Sequence, residues 1–499
     1  MKVLGLNLSH HASAAIIKDG EVSFALENDR LSKKKHDSSI EDLLSFLSNK
    51  HFKYVGYTSY NISESKKLFY KNLVQGNLKK NNIGYEELIE FPHHHVTHAF
   101  SSFYNSGFDE AICLIIDNGG LSFKGGEVEL GQEVLSIIKI NHDGYEDVFK
   151  ICSNQQNFIF KKNNIQSYPA ISPASLFEIA QNIFKYKEPG AVMGKSSYGK
   201  KDKTIPNIFK FKENGFYINL KFLYDLIIRN KQNENNFCFK IQKESTDLVL
   251  KYLELIKKTF PKHKICLSGG FFQNCMTNYE IIKNKYDVFV DPISHDGGTS
   301  IGLAQHIYKI KTNEKPKKYD SLYLGPRYPK LSKLFFEEII APNKKLIFKK
   351  VSKKDVAKLL VENKSIGLFQ GKSEFGPRAL GNRSILLNPM NPFAKDKINL
   401  IKKREWFRPY AGTVLHEDKD DWFYFYNKEE TKFMSYAVKI KKEKVNMIPG
   451  ICHIDETCRV QTLKKKENIH FYELIEEFKN ITNVPLLLNT SLNQAGMPL

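Results

Sequence analysis

Glycine pairs that follow short apolar segments constrain the fold of this chain more than any other feature of its sequence. The first pair ends Asp117-Asn118-Gly119-Gly120, the second follows Ser268 in SGG, and the third follows Asp296 in DGG. Glycine allows backbone N–H groups to approach a phosphate or a metal-bound ligand closely. Loops at strand ends are also where α/β folds build their sites. The sequence therefore predicts an α/β protein whose site is formed by loops separated in the chain.

The chain of 499 residues is too long for a single hydrophobic core, and we expect two or three domains. It contains no apolar run long enough to cross a membrane, so no membrane span is expected. Residues 1–26 read as two strands joined by a Lys-Asp-Gly turn rather than as a signal peptide. The seven cysteines form no Cys-x-x-Cys pair, which is typical of reduced thiols. These features predict a cytoplasmic protein.

The net charge of +20 is compatible with several partners. A basic surface attracts nucleic acid, phosphorylated ligands or anionic membranes. Lysine, asparagine and isoleucine are all abundant, however, and a base-composition bias in the coding DNA would produce the same excess of lysine. Both interpretations remain open on composition alone.

Arginine is rare in this chain, and its few positions are therefore informative. Of the 75 lysines and arginines only eight are arginine, and five of these lie between residues 378 and 459. A guanidinium binds phosphate or carboxylate through two parallel hydrogen bonds, which a lysine cannot form. The five favour a site for a polyanion, most simply a nucleotide triphosphate and a second phosphate ester. The alternative is a set of structural ion pairs, with Glu374 and Glu405 as the obvious partners. The five residues are Arg378, Arg383, Arg404, Arg408 and Arg459.

Two histidines with helical spacing predict a metal site. A helix is predicted over residues 94–104, and His94 and His98 then project from one face of it. This spacing is typical of ligands to a divalent metal. Asp117 follows on the next strand, and Asp296 comes from a distant loop. Two histidines and two carboxylates suit iron, manganese or zinc.

A series of short motifs runs along nearly the whole chain. It includes HHAS at 10–13, ENDR at 27–30, HHVTHAFSSFYNSGFDEA at 94–111, GAVMG at 190–194, SGGFFQNC at 268–275, HDGGTSIG at 295–302, GKSEFGPRALGNRSIL at 371–386, KKREWFRPYA at 402–411, HIDETCRVQT at 453–462 and NTSLNQAGMP at 489–498. FGPRALGNRSIL, followed by REWFRP and NTSLN, is the most specific part of the series. With these motifs the chain resembles the carbamoyltransferase family that includes nodulation-factor, cephamycin and aminoglycoside O-carbamoyltransferases (the NodU/CmcH type).

The resemblance implies two domains, at residues 1–340 and 341–499. The first would be a metal-binding domain with the two-lobed actin/hexokinase-like (ASKHA) fold, and the second a YrdC-like α/β domain. In such proteins the C-terminal domain combines carbamoyl phosphate with ATP to give carbamoyl adenylate. The N-terminal domain then transfers the carbamoyl group to a hydroxyl of the acceptor. ATP and carbamoyl phosphate would thus be co-substrates. The resident metal would be Fe²⁺, with Mn²⁺ or Zn²⁺ as alternatives and Mg²⁺ as a further candidate.

The resemblance and the chemistry together suggest roles for individual residues. Formation of a mixed anhydride brings two anions together, so fixed cations must offset their repulsion. An imidazole can accept the proton of the acceptor hydroxyl, and the catalytic candidates are His10 and His11. The metal ligands would be His94, His98, Asp117 and Asp296. The nucleotide would be lined by Gly119, Gly120, Gly269, Gly270, Asn274, Gly297 and Gly298. Carbamoyl phosphate and ATP would be bound by Lys372, Arg378, Arg383, Lys402, Arg404, Arg408, Arg459, Asn489 and Ser491.

The chain departs from the family pattern at several positions. His11 stands where an acidic residue is usual, and this change bears on recognition of the acceptor. Ala191 replaces a common lysine, and Met497 replaces a usual glutamate. The sequence ends at Leu499, inside or just after the last motif, so we expect a chain that is either naturally short or clipped.

The sequence leaves the acceptor open. One candidate is a small-molecule alcohol, such as a sugar or a secondary metabolite. The other is a hydroxymethylated base in DNA, whose phosphates a basic surface would bind and whose base would have to be flipped out. A tRNA threonylcarbamoyl-type enzyme and a non-catalytic binding protein on the same scaffold remain alternatives for the function. We expect a monomer or a homodimer without membrane contact.

Overall fold

A computed structural model describes residues 1–60, 66–125, 128–154, 160–162, 165–168, 170–328, 337–338, 342 and 349–493 of the chain. Within these ranges the strands form three large sheets and one two-stranded hairpin. Helices pack against the sheets, so the predicted α/β class is confirmed. Met497, Leu499 and the predicted domain boundary at residues 340 and 341 lie outside the described residues.

The first sheet has five strands in the order β3-β2-β1-β4-β5. The strands are β1 Lys2–Asn7, β2 Ser13–Lys18, β3 Glu21–Glu27, β4 His51–Thr58 and β5 Gly84–Glu90. β1 pairs antiparallel with β2 and parallel with β4. Both β1 and β2 are buried along almost their whole length. Strands covered on both faces need continuous apolar runs, which explains why the first residues of the chain are apolar.

The second sheet has eight strands, with the main order β10-β11-β9-β8-β6-β14-β15 and β7 paired to β8. The strands are β6 Glu110–Ile116, β7 Ser122–Gly125, β8 Val128–Asn141, β9 Tyr145–Ser153, β10 Phe160–Lys162, β11 Ile165–Tyr168, β14 Lys264–Ser268 and β15 Val288–Val290. β14 pairs parallel with both β6 and β15, so the loops after these strands meet at one edge. β12 Phe209–Lys212 and β13 Gly215–Ile218 form the hairpin.

The third sheet belongs to the C-terminal part and has the order β16-β17-β22-β18-β21-β20-β19. The strands are β16 Ile366–Phe369, β17 Arg383–Leu387, β18 Ala411–Leu415, β19 Phe423–Tyr424, β20 Ala437–Ile440, β21 Thr457–Leu463 and β22 Leu486–Ser491. The pairing is antiparallel except between β18 and β21. The N-terminal end of β17 therefore lies beside the C-terminal end of β22.

The α-helices of the described residues connect and cover these sheets. They are α1 Asp29–Ser32, α2 Glu41–Phe46, α3 Lys67–Lys80, α4 His94–Ser106, α5 Pro173–Phe184, α6 Gly190–Ser196, α7 Leu220–Thr259, α8 Cys275–Lys283, α9 Thr299–Thr312, α10 Lys353–Val361, α11 Ala394–Lys402, α12 Lys419–Trp422 and α13 Ile469–Thr482.

Close packing of α4 against α9 joins the first two sheets. Phe100 and Phe103 of α4 pack on the second sheet, whereas Ile307 of α9 packs on the first sheet. A Cβ atom at Gly302 of α9 would lie 2.5 Å from Thr97 O. Only glycine therefore allows the two helices to approach this closely, which sets their N-terminal ends beside each other.

Several sequence predictions of local structure can now be compared with the fold. The helix predicted over 94–104 is confirmed, and the strand ending before Asp117 is present as β6. The amphipathic pattern of residues 244–260 also predicts a helix, which is present as the second half of α7, a helix with a kink at Asn233. The glycines of the segment 190–199 predict a loop, but this prediction is wrong, because α6 occupies most of the segment. Among the described residues, none of the helices is both long and apolar enough to span a membrane.

Candidate functional site

The four residues predicted to bind a metal lie together near the N-terminus of α4. Asp117 follows β6, and Asp296 begins the short 3₁₀ helix that leads into α9. His94 Nε2 lies 3.3 Å from Asp117 Oδ2 and 3.5 Å from Asp296 Oδ1. His98 Nε2 lies 3.2 Å and 3.6 Å from the same two atoms. The packing of α4 against α9 thus brings residues from three distant segments into contact.

The geometry of this set fits a divalent metal ion. Tetrahedral ligands at about 2.1 Å from an ion are about 3.4 Å apart, close to the imidazole–carboxylate distances here. His98 Nε2 is buried without a hydrogen-bond partner in the described part of the chain. The outer carboxylate oxygens are already fixed, because Gly270 N–H donates to Asp117 Oδ1 (3.0 Å) and Ser9 Oγ–H donates to Asp296 Oδ2 (2.6 Å). Such outer contacts orient metal ligands.

The electrostatics of the set also suit a cation. Burial lowers the pKa of His94, but Asp296 and Asp117 raise it to about 10. Burial raises the pKa of Asp117, and so does Asp296, yet the two imidazoles hold it below its usual range. The pKa of Asp296 likewise lies well below its usual range, because the imidazoles outweigh burial. Both carboxylates are therefore ionised near neutral pH, which is the form that binds metal.

Glu133 of β8 is a buried residue that connects the two elements carrying these ligands. It accepts hydrogen bonds from the backbone N–H groups of His95 (3.3 Å) and Leu121 (3.2 Å). Its other oxygen forms a 2.8 Å ion pair with Lys150, which is also buried. Burial raises the pKa of Glu133, but His95 and Lys150 lower it well below its usual range. One carboxylate thus fixes the start of α4 relative to the loop after β6.

The glycine pairs allow close packing around the same ligands. A Cβ atom at Gly270 would lie 2.8 Å from Asp117 Oδ1, and Gly269 has a φ of +95°. Cβ atoms would also meet neighbouring atoms at 2.9 Å or less at the remaining predicted positions, which are Gly119, Gly120, Gly297 and Gly298. These glycines are therefore needed for the packing of the site. Their contact with a nucleotide stays a prediction.

His10 and His11 lie in a loop after β1, beside the four candidate metal ligands His94, His98, Asp117 and Asp296. His10 is exposed, and its ring stacks on that of His36 at 4.7 Å between centroids. His11 Nε2 lies 2.9 Å from His36 Nδ1. His295, the neighbour of Asp296, contacts the His11 ring at 4.8 Å. The loop is thus accessible to an acceptor on its His10 side.

Five of the predicted anion-binding cations converge at the junction between the N-terminal part and the third sheet. Burial lowers the pKa of Arg459 to about 9, and Arg378 and Arg408 add to the decrease. The pKa of Arg404 is lowered by burial and by Arg408. Arg459 Nε is buried without a hydrogen-bond partner among the described residues. The cation cluster is composed of Arg378, Lys402, Arg404, Arg408 and Arg459.

Lys402 is the most buried member of the cation cluster, with 1% of its surface exposed. Its Nζ donates to Ser491 O (2.6 Å), Ser491 Oγ (2.9 Å) and Asn493 Oδ1 (2.6 Å). Burial lowers its pKa to about 7, and the repulsion of Arg404 contributes. Lys402 therefore changes its charge near neutral pH.

Arg383 is held by the protein itself rather than in the cation cluster. Its Nη1 donates to Gln370 O (2.6 Å) and to Asn382 O (2.9 Å), and its guanidinium lies 3.7 Å from the centre of the Phe369 ring. Among the described residues Glu374 forms no ion pair with an arginine but accepts backbone N–H bonds from 380, 382 and 383. Glu405, the other expected partner, does lie 3.7 Å from Arg408. These contacts shape the loop. Binding of a phosphate by Arg383 stays a prediction.

Three other predicted binding residues have protein partners. Asn274 caps α8 and exchanges hydrogen bonds with Gln242. Asn489 is fully buried in the third sheet and donates to Thr413 Oγ1 at 3.0 Å. Lys372 is exposed, and its Nζ lies 3.5 Å from Ser23 O.

The sequence did not identify Glu188 or Asn493 as parts of this region. Glu188 precedes α6 and forms an ion pair with Arg408, with Arg408 Nη2 to Glu188 Oε2 at 2.9 Å. Asn493 lies two residues after Ser491, and this Ser-x-Asn spacing was the available signal. Glu188 had no such signal, because its partner lies 220 residues away.

Comparison with known proteins identifies both parts of the chain. Residues 44–305 match the family model described as carbamoyltransferase N-terminus, and residues 357–499 match carbamoyltransferase C-terminus. Nodulation protein NolNO of Sinorhizobium fredii is 27% identical over 98% of this chain and 75% of its own length. Nodulation protein NolO of Bradyrhizobium diazoefficiens is 28% identical over 81% of this chain and 73% of its own length. Nodulation protein U of Azorhizobium caulinodans is 30% identical over 46% of this chain and 40% of its own length.

Similarity to solved structures is weaker. Full-length HypF in the phosphate- and nucleotide-bound form gives a TM-score of 0.41 at 16% identity, over 62% of this chain and 56% of HypF. The activator of 2-hydroxyisocaproyl-CoA dehydratase from Clostridium difficile gives 0.38 at 10% identity, over 64% of this chain and all of the activator. Scores of this size do not establish a shared fold. The actin/hexokinase-like and YrdC-like assignments therefore stay predictions.

Proposed function

Because this chain belongs to the carbamoyltransferase family, we propose that it uses carbamoyl phosphate and ATP to carbamoylate a hydroxyl group of an acceptor. Carbamoyl adenylate is the proposed intermediate. Water first releases inorganic phosphate from carbamoyl phosphate, and an oxygen of the resulting carbamate then attacks the α-phosphorus of ATP and displaces pyrophosphate. Within this proposal the N-terminal part has the actin/hexokinase-like fold and the C-terminal part the YrdC-like fold. Carbamoyl transfer is a group-transfer reaction, so the protein is a transferase.

The cation cluster is the observation that carries the proposed route. A carbamoyl carbon is a poor electrophile, because its nitrogen donates electrons into the carbonyl, and it needs a good leaving group. Attack of the carbamate oxygen on the α-phosphorus of ATP, with pyrophosphate as the leaving group, brings two anions together, and fixed cations lower the cost of that approach. Arg378, Arg404 and Arg459 supply such cations in a largely buried setting, where their effect is greater than in water. Positioning of both partners makes the step nearly intramolecular.

Lys402 supports the same assignment. Its ammonium is held by Ser491 and Asn493, so its position is fixed before a ligand arrives. A bound phosphate would favour the charged form of a lysine whose pKa lies at about 7. Binding of an anion would therefore shift Lys402 toward its protonated form.

The four-residue set of His94, His98, Asp117 and Asp296 would hold the metal of the transfer site. A divalent ion bound there would supply Lewis-acid stabilisation of negative charge on a phosphate or carbonyl oxygen. The protein's own contribution is to fix the ligands through Gly270, Ser9 and Glu133. His10, on the exposed side, is placed to accept the proton of an incoming hydroxyl.

The proposed acceptor is a small-molecule alcohol, with a hydroxymethylated base in DNA as the competing class. Carbamoyl transfer from ¹⁴C-carbamoyl phosphate tests the function, with ATP and either Fe²⁺ or Mn²⁺ present. The acceptors are a panel of sugars and aminoglycosides beside hydroxymethylcytosine DNA, and pyrophosphate release is followed in parallel.

Label on a small alcohol supports the proposed acceptor class. Label on DNA would show instead that the acceptor is a nucleic acid. Pyrophosphate release that depends on carbamoyl phosphate supports the activation step even without a labelled acceptor. Absence of such release at millimolar ATP and carbamoyl phosphate, in a folded metal-loaded protein, would overturn the proposed route. Arg459→Met removes a member of the cation cluster and should lose pyrophosphate release. Arg229→Met makes the same change in α7, outside the cation cluster, and should retain it.

A further inference from the structure

A second group of potential metal ligands lies beside the first. His11, Glu27 and His295 each offer a ligand atom within 4.8 Å of the others. His295 Nε2 lies 2.6 Å from Glu27 Oε1, and the rings of His295 and His11 are in edge contact. Glu27 and His295 are both at least 96% buried. The group combines two imidazoles with a carboxylate, which is a donor set for borderline divalent ions such as zinc or iron.

Buried polar atoms of this group lack partners. His11 Nδ1 and His295 Nδ1 are both buried without a hydrogen-bond partner among the described residues. Burial of an unpartnered polar atom costs desolvation energy, so a purely structural cluster would be expected to satisfy both atoms.

The backbone is left-handed at both histidines that meet here. His11 has a φ of +62° and His36, which contacts it, a φ of +60°. Histidine adopts this conformation more often than most residues other than glycine. The conformation directs both rings toward the same contact.

Gly297 leaves the space in which Glu27 meets His295. A Cβ atom at this position would lie 2.8 Å from Glu27 Oε1 and 2.8 Å from His295 Nε2. Any other residue would therefore push the two side chains apart. The third glycine pair of the sequence thus serves this group as well as the first metal-ligand set.

The local charge favours a cation. Glu27 and Asp29 are both buried, and Arg30 faces both of them, at 3.5 Å from Glu27 and 3.6 Å from Asp29. One guanidinium therefore lies between two carboxylates.

We propose that His11, Glu27 and His295 form a second binding site for a divalent transition-metal ion, next to the set that includes Asp296. The ion would take the place of the direct hydrogen bond between His295 Nε2 and Glu27 Oε1. His36 and His10 lie on the outer side of His11 and support its ring without ligating the ion. In the proposed function, which this role requires, the second ion would bind the acceptor hydroxyl and make it easier to deprotonate.

Metal stoichiometry tests the site without any turnover, so its failure is distinct from failure of the carbamoyl-transfer proposal. The full chain is stripped with a chelator and titrated with Zn²⁺ and separately with Co²⁺. Bound metal is counted by mass spectrometry after gel filtration, and Co²⁺ is also followed by its visible absorption. Wild type is expected to retain two ions per chain, and His98→Ala one.

His11→Asn and Glu27→Gln are each expected to reduce the count by one ion. Asparagine tolerates the left-handed backbone of His11, so this variant should keep the fold, which thermal melting verifies. His36→Asn is the matched control, because it makes the same change on the same kind of backbone and should retain two ions. A wild-type count of one, unchanged by His11→Asn or Glu27→Gln, would overturn the site. A loss in His36→Asn but not in Glu27→Gln would overturn this ligand set.

Discussion

Arg408 donates a hydrogen bond from Nη2 to Glu188 Oε2 at 2.9 Å, and this ion pair joins the N-terminal part of the chain to the cation cluster of the C-terminal part. Glu188 also pairs with Lys35 of the loop after α1. Burial raises the pKa of Glu188, but Arg408 and Lys35 hold it well below its usual range. A carboxylate thus occupies part of the surface that we propose binds phosphates.

Glu188→Gln is expected to tighten the binding of pyrophosphate by about tenfold, which corresponds to about 1.4 kcal/mol. The reason is that the variant removes a negative charge next to Arg408. The same change should lower the free energy of unfolding by about 1–2 kcal/mol, because Arg408 loses the closer of its two carboxylate partners and keeps only Glu405 at 3.7 Å. Calorimetric titration and thermal melting measure the two effects. Glu87→Gln, which breaks an exposed pair with Lys311, is the control and should leave pyrophosphate affinity unchanged.

Lys402→Met is expected to weaken pyrophosphate binding and to remove part of its pH dependence. In the free protein the pKa of Lys402 is about 7, and a bound anion raises it. Lys402 is charged in both states well below pH 7, so affinity is highest there and falls as the pH rises above 7. Titrations from pH 6 to 9 measure this slope. Equal slopes in wild type and Lys402→Met would contradict the assignment.

Arg383→Lys should mainly lower the stability of the protein, whereas Arg459→Lys should mainly weaken anion binding. Arg383 stacks on Phe369 and donates to carbonyl groups, so its replacement is expected to cost about 1–3 kcal/mol of unfolding free energy. Arg459 lies in the cation cluster with an unpartnered Nε, so its replacement should weaken anion binding with little loss of stability. Denaturant unfolding and calorimetry on both variants separate the effects. A loss of stability in Arg459→Lys but not in Arg383→Lys would contradict this prediction.

His98→Ala is expected to reduce Mn²⁺ affinity at the His94–Asp296 set by more than about 100-fold, since it removes a ligand. Equilibrium dialysis and electron paramagnetic resonance of free Mn²⁺ provide the measurement. His470→Asn changes an exposed histidine on α13 and should behave as wild type. Unaltered Mn²⁺ binding in His98→Ala would show that the metal is held elsewhere.

Glu133→Gln should weaken the same metal site by about 10- to 100-fold although it removes no ligand. Loss of the buried pair with Lys150 is expected to cost about 3–5 kcal/mol of stability. The pKa of Glu133 is depressed in the folded protein, so its stabilisation is present above the unfolded pKa and is lost as the pH falls through the folded value. Wild type should therefore lose more stability than Glu133→Gln on acidification. Glu110→Gln, at an exposed pair with Lys139, is the control.

Much of the fold could be predicted from local patterns. The helix at 94–106 follows from four-residue spacing, and the strands before Asp117 and Ser268 follow from apolar runs that end in glycine. The prediction of helical or loop structure at 85–90 is wrong, because this segment belongs to β5, a partly exposed edge strand whose charged sequence GYEELIE lacks the apolar alternation of a typical strand. The loop predicted at 190–199 is helical because α6 packs against α5 and α7, and glycine content alone cannot indicate such packing.

The sequence by itself determined which residues are candidates for the chemistry, since His94, His98, Asp117, Asp296 and the arginines were identified from residue type and spacing alone. Only the tertiary structure decided which of these candidates lie together. Arg378 and Arg383 are five residues apart, yet one joins the cation cluster and the other packs on Phe369. Glu188 reaches Arg408 across 220 residues, and Glu27 reaches His295 across 268. Ion pairs and ligand sets depend on distances of a few ångströms. Packing between separate sheets sets those distances, whereas separation along the sequence does not.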